Sequence, residues 1–170
     1  MKSIFLTLLI CAQCTTIAQR KIIPTDSFLI HGKIKKEITI TWQQLLSFPE
    51  TIIRDQIIYN HKGEVKDTIT GIRGVPLKTL LSDIEFLYEK PKDLNEFYFV
   101  FVASDGYKVV FSWNEIYNTK AGDEFYFITA FNGKKSQEPE QRILFLSTAD
   151  LKSGRRYIKG LQRIDVKRTE

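Results

Sequence analysis

Alternating apolar and polar residues predict that most of this chain is extended. Segments that alternate in this way, or that are rich in β-branched and aromatic residues, favour β-strands. They cover residues 27–34, 36–41, 52–59, 68–72, 97–103, 107–111, 125–131, 142–146 and 161–166. Asp105 and Gly106 separate two of these runs. An Asp-Gly pair at that place predicts a hairpin turn in which both residues adopt positive φ.

The hydrophobic period changes to that of a helix at two capping boxes. Thr41 and Gln44 have the spacing of such a box, so a helix is predicted to begin there and to end before Pro49. Ser112 and Glu115 repeat the spacing further along the chain. The apolar pairs that flank the two boxes as hydrophobic staples are Ile40 with Leu45 and Phe111 with Ile116.

One more helix is predicted where Pro76 can occupy the first turn, since its missing amide donor costs nothing there. Four apolar residues then share one face at helical spacing: Leu77, Leu80, Leu81 and Ile84. Strands and helices do not alternate regularly along the chain, which argues against a doubly wound parallel sheet. The sequence therefore predicts an α+β domain, a strand-rich mixed sheet with a few short helices.

The first eighteen residues have the pattern of a secretory signal peptide. A basic start at Lys2 precedes an apolar run over residues 4–12, and a small-residue exit follows at residues 16–18. The run is shorter than the about 20 residues that span a bilayer. Residues 19–170 are then predicted to form a single domain, exported to the periplasm or the exterior. Lipid anchoring at Cys11 or Cys14 is the less favoured alternative, because neither cysteine follows the expected small residue.

Composition excludes several classes of site from the body of the chain. Cys11 and Cys14 are the only cysteines, so no disulfide framework, thiolate zinc site, iron–sulfur cluster or cysteine nucleophile is expected after them. The formal charge of +5 is spread over segments of mixed sign. With export, this makes nucleic acid an unexpected partner. No later apolar stretch is long enough for a membrane span.

The residues most often used in catalysis form no recognisable motif. His31 and His61 are the only histidines, and neither has metal-ligand spacing, so both are interpreted as turn or surface residues. No nucleophile elbow occurs, and Ser104 belongs to the predicted hairpin turn. The aromatic blocks 97–99 and 125–127 are predicted to place their phenylalanines on one face, in the core, and their tyrosine on the other.

The segment 154–160 is the most distinctive polar feature. It carries three cations, Arg155, Arg156 and Lys159, between two glycines. Arginine offers a planar fork of donors and lysine a point charge, so such a loop can bind a phosphate group. The alternative is a charge-balanced surface turn.

The order of these segments resembles the oxidoreductase molybdopterin-binding domain, the sulfite-oxidase-type fold. The similar segments are an opening strand at 28–34, a strand and helix ending in proline at 38–49, a Gly-Val-Pro-Leu block within 72–81, an Asp-Gly-Tyr turn at 105–107 and a Gly-x-Arg-x-Ile-Lys run at 154–159. Together they extend over about residues 27–167. The resemblance implies a molybdopterin-dependent oxidoreductase, and it places Arg156 and Lys159 at the cationic positions of a pterin-phosphate site. Arg155 joins them as a neighbouring cation.

One departure limits what the resemblance implies about activity. Members of the family hold molybdenum through a cysteine between the first helix and the Gly-Val-Pro-Leu block, and residues 51–73 contain none. Isoleucine, tyrosine and asparagine, which occupy positions 57–60, cannot bind and tune the metal as a thiolate does, so no residue is assigned as catalytic or as a metal ligand. The expected function is an exported molybdopterin-binding-domain protein without this ligand, with an envelope redox or protein partner. The alternative is a catalytically silent envelope module for an anionic small molecule or a protein partner.

Overall fold

The computed structural model describes residues 21–135 and 142–169. The predicted signal peptide and its cleavage site lie outside the described residues. Among the residues described, no helix is both long and apolar enough to cross a membrane.

Thirteen short strands and three short α-helices make up the described part of the chain. The strands are β1 Ser27–Gly32, β2 Ile38–Thr41, β3 Thr51–Ile53, β4 Gln56–Tyr59, β5 Val65–Ile69, β6 Ile72–Pro76, β7 Phe97–Ala103, β8 Lys108–Ser112, β9 Phe125–Phe131, β10 Lys134–Lys135, β11 Leu144–Ser147, β12 Ile158–Lys159 and β13 Leu161–Arg168. The helices are α1 Trp42–Ser47, α2 Leu77–Leu80 and α3 Trp113–Tyr117, with 3-10 turns at Pro91–Glu96, Lys120–Glu124 and Ser153–Arg156. This content confirms the predicted strand-rich α+β class.

Two sheets and a separate hairpin organise these strands. The first sheet has the order β2-β1-β13-β7-β8, in which β1 and β13 are parallel and the other neighbours are antiparallel. The second has the order β12-β11-β9-β6-β3, with β10 paired to β9, and is antiparallel. The hairpin consists of β4 and β5. The first sheet is therefore mixed, as predicted.

The main core lies between the two sheets and is built largely from aromatic rings. Phe28 of the first sheet stacks on Phe127 of the second at a centroid distance of 5.1 Å, and Phe101 meets Phe145 at 4.6 Å. All four side chains are essentially inaccessible to solvent. Such offset and tilted ring pairs add to the free energy gained by burying apolar area.

A smaller core lies on the opposite face of the second sheet, under the β4–β5 hairpin. It contains Ile58 and Ile69 of the hairpin together with Ile128 and Leu144 of the sheet, and Tyr126 packs against it. Phe125 and Phe127, which flank Tyr126, belong to the main core instead. The predicted separation of phenylalanines and tyrosine onto two faces is thus confirmed for this block.

The predicted helix starts are confirmed in position, with two differences in detail. Thr41 accepts a hydrogen bond from the Gln44 amide while the Gln44 side chain accepts one from the Thr41 amide, so the first capping box is complete. Ser112 accepts a hydrogen bond from the Glu115 amide, but the Glu115 carboxylate turns to Arg156 instead of closing a box. Pro76 precedes α2 as its N-cap residue and lies outside the first helical turn.

The predicted strand over 52–59 was wrong in extent, because the chain leaves the second sheet at Ile53 and begins the hairpin at Gln56. Asp55 accepts a hydrogen bond from the Gly71 amide across this break. Gly71 itself has a φ of 57° and separates β5 from β6, which the sequence had joined as 68–72. These hydrogen bonds join residues distant in sequence, so a local pattern does not reveal the breaks.

The turn between β7 and β8 forms where Asp105 and Gly106 predict it. Gly106 has a φ of 83°, whereas Asp105 is not among the described residues with positive φ. The Asp105 carboxylate accepts a hydrogen bond from the Tyr107 amide instead. One left-handed residue, supplied by glycine, is sufficient for this turn.

Candidate functional site

The basic segment 154–160 is fixed against the β4–β5 hairpin by its first residue, Gly154, and by Ser153, which precedes it. Ser153 donates a hydrogen bond from Oγ to the Ile57 carbonyl oxygen at 2.8 Å and accepts one from the Tyr59 amide. Gly154 follows, and a Cβ built on it would lie 2.2 Å from the Tyr59 carbonyl oxygen. Only glycine allows this approach without movement of the backbone. The 3-10 turn Ser153–Arg156 is therefore held directly beside β4.

Arg156 anchors the same turn to the loop that follows β11 and to α3. Its Nε donates to Asp150 at 2.7 Å, a second guanidinium nitrogen pairs with the other oxygen of Asp150, and a third pairs with Glu115. The guanidinium also lies over the Phe111 ring, 4.8 Å from its centroid, and over the Phe125 ring. The side chain is 22% exposed. Two carboxylates thus neutralise this cation.

The electrostatic environment of Arg156 keeps it charged. Burial opposes the charged form, but the hydrogen bonds and charges of Asp150 and Glu115 outweigh burial and raise the pKa of Arg156 above its usual value. Three of the five N–H groups of Arg156 already donate to side-chain carboxylates, which leaves little capacity for a ligand. Its geometry fits a positioning role for the turn better than direct contact with an anion.

Arg155 and Lys159 project to the other side of the segment, where they line a cavity. The Arg155 carbonyl oxygen accepts a hydrogen bond from the Tyr107 hydroxyl, which ties the segment to the β7–β8 turn. Lys159 lies in β12, paired with Leu144 of β11. Its Nζ is 5.0 Å from the centroid of the Tyr157 ring. The structure therefore brings two of the three predicted cations to one cavity and turns Arg156 away from them.

The β4–β5 hairpin supplies the facing wall. Asn60 closes its turn by accepting hydrogen bonds from the Lys62 and Glu64 amides. The hairpin then returns through Lys66 and Asp67, which line the cavity. The composition of the hairpin tip does not distinguish Lys66 and Asp67 from surface residues, so sequence reasoning missed both.

The cavity has a volume of about 420 Å³ and opens to solvent. That volume lies within the range of small-molecule sites, about 300–1,000 Å³. Four segments line it: the chain at Ile22, the hairpin, the β7–β8 turn and residues 154–159. Its cationic lining residues are Lys66, Arg155 and Lys159, its acidic ones are Asp67 and Asp105, and Tyr107 and Tyr157 contribute aromatic surface. We call this space the hairpin cavity.

Two side chains that line the hairpin cavity have shifted pKa values. Burial lowers the pKa of Lys159, the positive charge of Lys66 lowers it further, and Asp67 partly opposes both. Burial, with a smaller contribution from Asp67, raises the pKa of Tyr157 to about 12. Both shifts disfavour the charged form because the two side chains are withdrawn from water.

The interval 51–73, in which the sequence resemblance leads us to expect a metal-binding cysteine, contributes to the wall of the hairpin cavity. The hairpin cavity is lined there by Ile58, Tyr59, Asn60 and His61. No group of three or more His, Cys, Asp or Glu side chains that could hold a metal ion occurs in residues 21–135 and 142–169. The donor set therefore does not fit a thiolate-held molybdenum centre.

The two histidines lie far apart in the fold. His31, on β1, pairs through Nε2 with Asp165 of β13 at 2.8 Å, and Arg163 donates to the same carboxylate oxygen. His61 lies at the hairpin tip and lines the hairpin cavity. The interpretation as surface and turn residues agrees with these positions.

A second cavity, of about 550 Å³, lies at α3. Trp113 and Tyr117 stack along one wall with centroids 4.9 Å apart, and Phe86 meets Tyr117 edge to face. Burial raises the pKa of Tyr117 to about 12. The sequence indicated Trp113 only as a helix residue, because Phe86 joins this wall, through Tyr117, from a loop with no regular period.

Comparison with known proteins finds similar folds among solved structures. The sequence matches no family model and no curated protein. Twenty-three chains of solved structures are similar in fold. One is the sulfane dehydrogenase SoxCD from Paracoccus pantotrophus, with a TM-score of 0.60 and 16% identity. The match covers 82% of this chain but only 37% of the SoxCD chain. At that identity the likeness shows the fold alone.

Proposed function

We propose that this chain is an exported relative of the sulfite-oxidase-type molybdopterin proteins that binds a phosphate-bearing pterin in the hairpin cavity, without the usual cysteine ligand to molybdenum. The observation that carries the proposal is the cationic lining of that cavity. In the part of the chain that the structure describes, no ion pair joins Lys66, Arg155 or Lys159 to a carboxylate, unlike Arg156 beside them. Cations without a fixed counter-ion are available to a ligand anion.

The hairpin cavity supports this ligand class in both charge and shape. Lys66, Arg155 and Lys159 supply charge-assisted donors of the kind that phosphate oxygens accept. Tyr107 and Tyr157 offer aromatic surface against which a planar heterocycle can pack. The similarity in fold to the sulfane dehydrogenase SoxCD supports a relationship to the enzyme group that the sequence resembles.

The proposal assigns no redox step to this chain. A molybdenum centre supplies oxidation and reduction where a thiolate holds it, and no cysteine occurs after Cys14. The chain's own residues can bind and orient an anion: Arg155 and the two lysines hold its charge, and Arg156 fixes the turn that carries them. The chain spans 37% of the SoxCD chain, so the activity and partners of that larger protein are not transferred.

Cofactor analysis of the purified full chain tests the proposal. The protein is produced in a host that synthesises molybdopterin, its bound pterin is oxidised to fluorescent derivatives and quantified, and its molybdenum content is measured. We expect extractable pterin with molybdenum well below one atom per chain. The double variant Lys66→Glu, Lys159→Glu reverses two charges of the hairpin cavity and should lose the pterin. The double variant Lys108→Glu, Lys120→Glu, at two exposed positions outside the hairpin cavity, is the matched control.

Two results contradict the proposal in different ways. A pterin-free wild-type protein contradicts pterin binding and favours a silent interaction module. Stoichiometric molybdenum in the wild-type protein contradicts the proposed absence of metal chemistry.

A further inference from the structure

Lys159 is a half-buried amine that faces an open cavity. Its neighbours in β12 and β11 are apolar, and Ile158 and Leu144 are completely buried. Within the described residues, the only recorded side-chain contact of its Nζ is with the Tyr157 ring. A lysine that is pulled from water without a counter-ion is unusual, because most buried ammonium groups are paired.

The groups around Lys159 favour its neutral form. Burial and the positive charge of Lys66 lower the pKa of Lys159, and the Asp67 carboxylate opposes them. A lysine that is desolvated beside a second cation is one of the known ways in which a protein obtains a nucleophilic amine. The hairpin cavity gives such an amine direct access to a small molecule.

We propose that Lys159 forms an imine with the carbonyl group of an anionic aldehyde or ketone bound in the hairpin cavity. This rests on the proposed function, since Lys66 and Arg155 hold the anionic group while Lys159 reacts. Neither Lys66 nor Arg155 has a carboxylate partner among the described residues, so both side chains are available to bind the anionic group of the ligand.

The reaction is balanced without any redox partner. Lys159 first releases a proton to solvent, and its free amine then attacks the carbonyl carbon to form a carbinolamine. The nitrogen loses its remaining proton as the carbinolamine oxygen leaves as water, which gives the neutral imine. One C=N bond replaces one C=O bond, and neither carbon nor nitrogen changes its oxidation level. The imine returns to amine and carbonyl by addition of water.

Pyridoxal 5′-phosphate is a suitable probe because it carries both an aldehyde and a phosphate. The full chain is incubated with the probe at a low molar ratio, the imine is reduced with borohydride, and mass spectrometry measures the labelling rate of each lysine. We expect Lys159 to be labelled at least about threefold faster than the exposed residues Lys108 and Lys120, because its free amine is more abundant. Lys66→Met should slow labelling, since the phosphate loses a contact.

Labelling of Lys159 at a rate no higher than that of Lys108 overturns the proposal. The measurement is made on wild-type protein, so it does not depend on the folding of a variant. Lys159→Arg keeps the positive charge, and a folded Lys159→Arg protein should lose the fast-labelled site.

A parallel arm separates this inference from the proposed function. Binding of the amine analogue pyridoxamine 5′-phosphate, which has no aldehyde and cannot form an imine with a lysine, is measured by calorimetry. Binding that depends on Lys66 and Arg155, together with slow labelling of Lys159, overturns only the imine. The opposite result is also informative. If pyridoxal without phosphate labels Lys159 fast and selectively while pyridoxamine 5′-phosphate does not bind, the reactive lysine is supported and the anion site is contradicted.

Discussion

Gly154 and Tyr59 approach so closely that a Cβ on Gly154 would lie 2.2 Å from the Tyr59 carbonyl oxygen. This approach joins the 3-10 turn Ser153–Arg156 to the β4–β5 hairpin. Both walls of the hairpin cavity therefore depend on it, since the turn carries Arg155 and the hairpin carries Lys66.

Gly154→Ala should separate the two walls. The added methyl group meets backbone atoms that cannot rotate away, so we expect a loss of about 1–3 kcal/mol in the free energy of unfolding and a loss of ligand binding. Urea unfolding and probe titration measure the two effects.

Gly133→Ala is the control for this substitution. Gly133 has a φ of 71° and no atom within 4 Å of a built Cβ, so alanine strains the turn without touching the hairpin cavity. It should reduce stability but leave binding unchanged. Equal loss of binding in both variants would show that Gly154 has no special relation to the cavity.

Arg156→Met should destabilise the fold more than Arg155→Met. Removing the guanidinium leaves Asp150 and Glu115 without their cation, in positions that are 12% and 29% exposed. We expect a cost of about 2–3 kcal/mol in the free energy of unfolding, because hydrogen bonds to charged groups contribute about 1.5–3 kcal/mol. Arg155 makes no such pair among the described residues, so its substitution should change stability little.

A double-mutant cycle identifies the source of the Arg156 effect. If the carboxylates are responsible, Glu115→Gln should cost less in an Arg156→Met background than in the wild type. Strict additivity of the two substitutions would contradict the ion pair as the reason for the loss.

Lys159→Met should stabilise the protein at neutral pH. The pKa of Lys159 is lower in the folded protein than in the unfolded chain, so the unfolded chain binds more protons between the two values. Wild-type stability therefore rises with pH across that window. The advantage of Lys159→Met should shrink as the pH approaches the ordinary lysine value of 10.5. Urea unfolding at several pH values measures it, with the exposed substitution Lys108→Met as the control for loss of a charge.

Tyr157→Phe should reduce alkaline denaturation. The folded protein keeps the Tyr157 proton up to a pKa of about 12, whereas the unfolded chain releases it near the ordinary tyrosine pKa of 10.0. The contribution of Tyr157 to the free energy of unfolding is thus complete below pH 10 and decreases as the pH rises above it. The variant should also remove a late step from the phenolate absorbance titration. Loss of a step near pH 10 in place of the late one would contradict the burial of this hydroxyl.

Local patterns predicted those parts of the fold that depend on residues close in sequence. The Thr41 capping box and the alternation over residues 125–127 involve contacts within three residues, and both are confirmed. The break in strand 52–59 depends on Asp55 and Gly71, sixteen residues apart, and was not predicted.

The site was predicted only in part for the same reason. The charge of segment 154–160 was visible in the sequence, but the roles of its three cations were not. Glu115 pairs with Arg156 across 41 positions, and this contact turns Arg156 away from the hairpin cavity. Lys66 reaches the same space only through the tertiary packing of the hairpin, so neither its proximity to Lys159 nor the cavity could be read from spacing.

Titration of a fluorescent pterin phosphate into the purified chain tests the central claim most directly. We predict saturable binding that weakens with added salt, is lost when the pterin lacks its phosphate, and falls at least about tenfold in the triple variant Lys66→Ala, Arg155→Ala, Lys159→Ala. The exposed double variant Lys108→Ala, Lys120→Ala should bind as the wild type does. Equal affinity of the triple variant and the wild type would contradict the assignment of the hairpin cavity as an anion site.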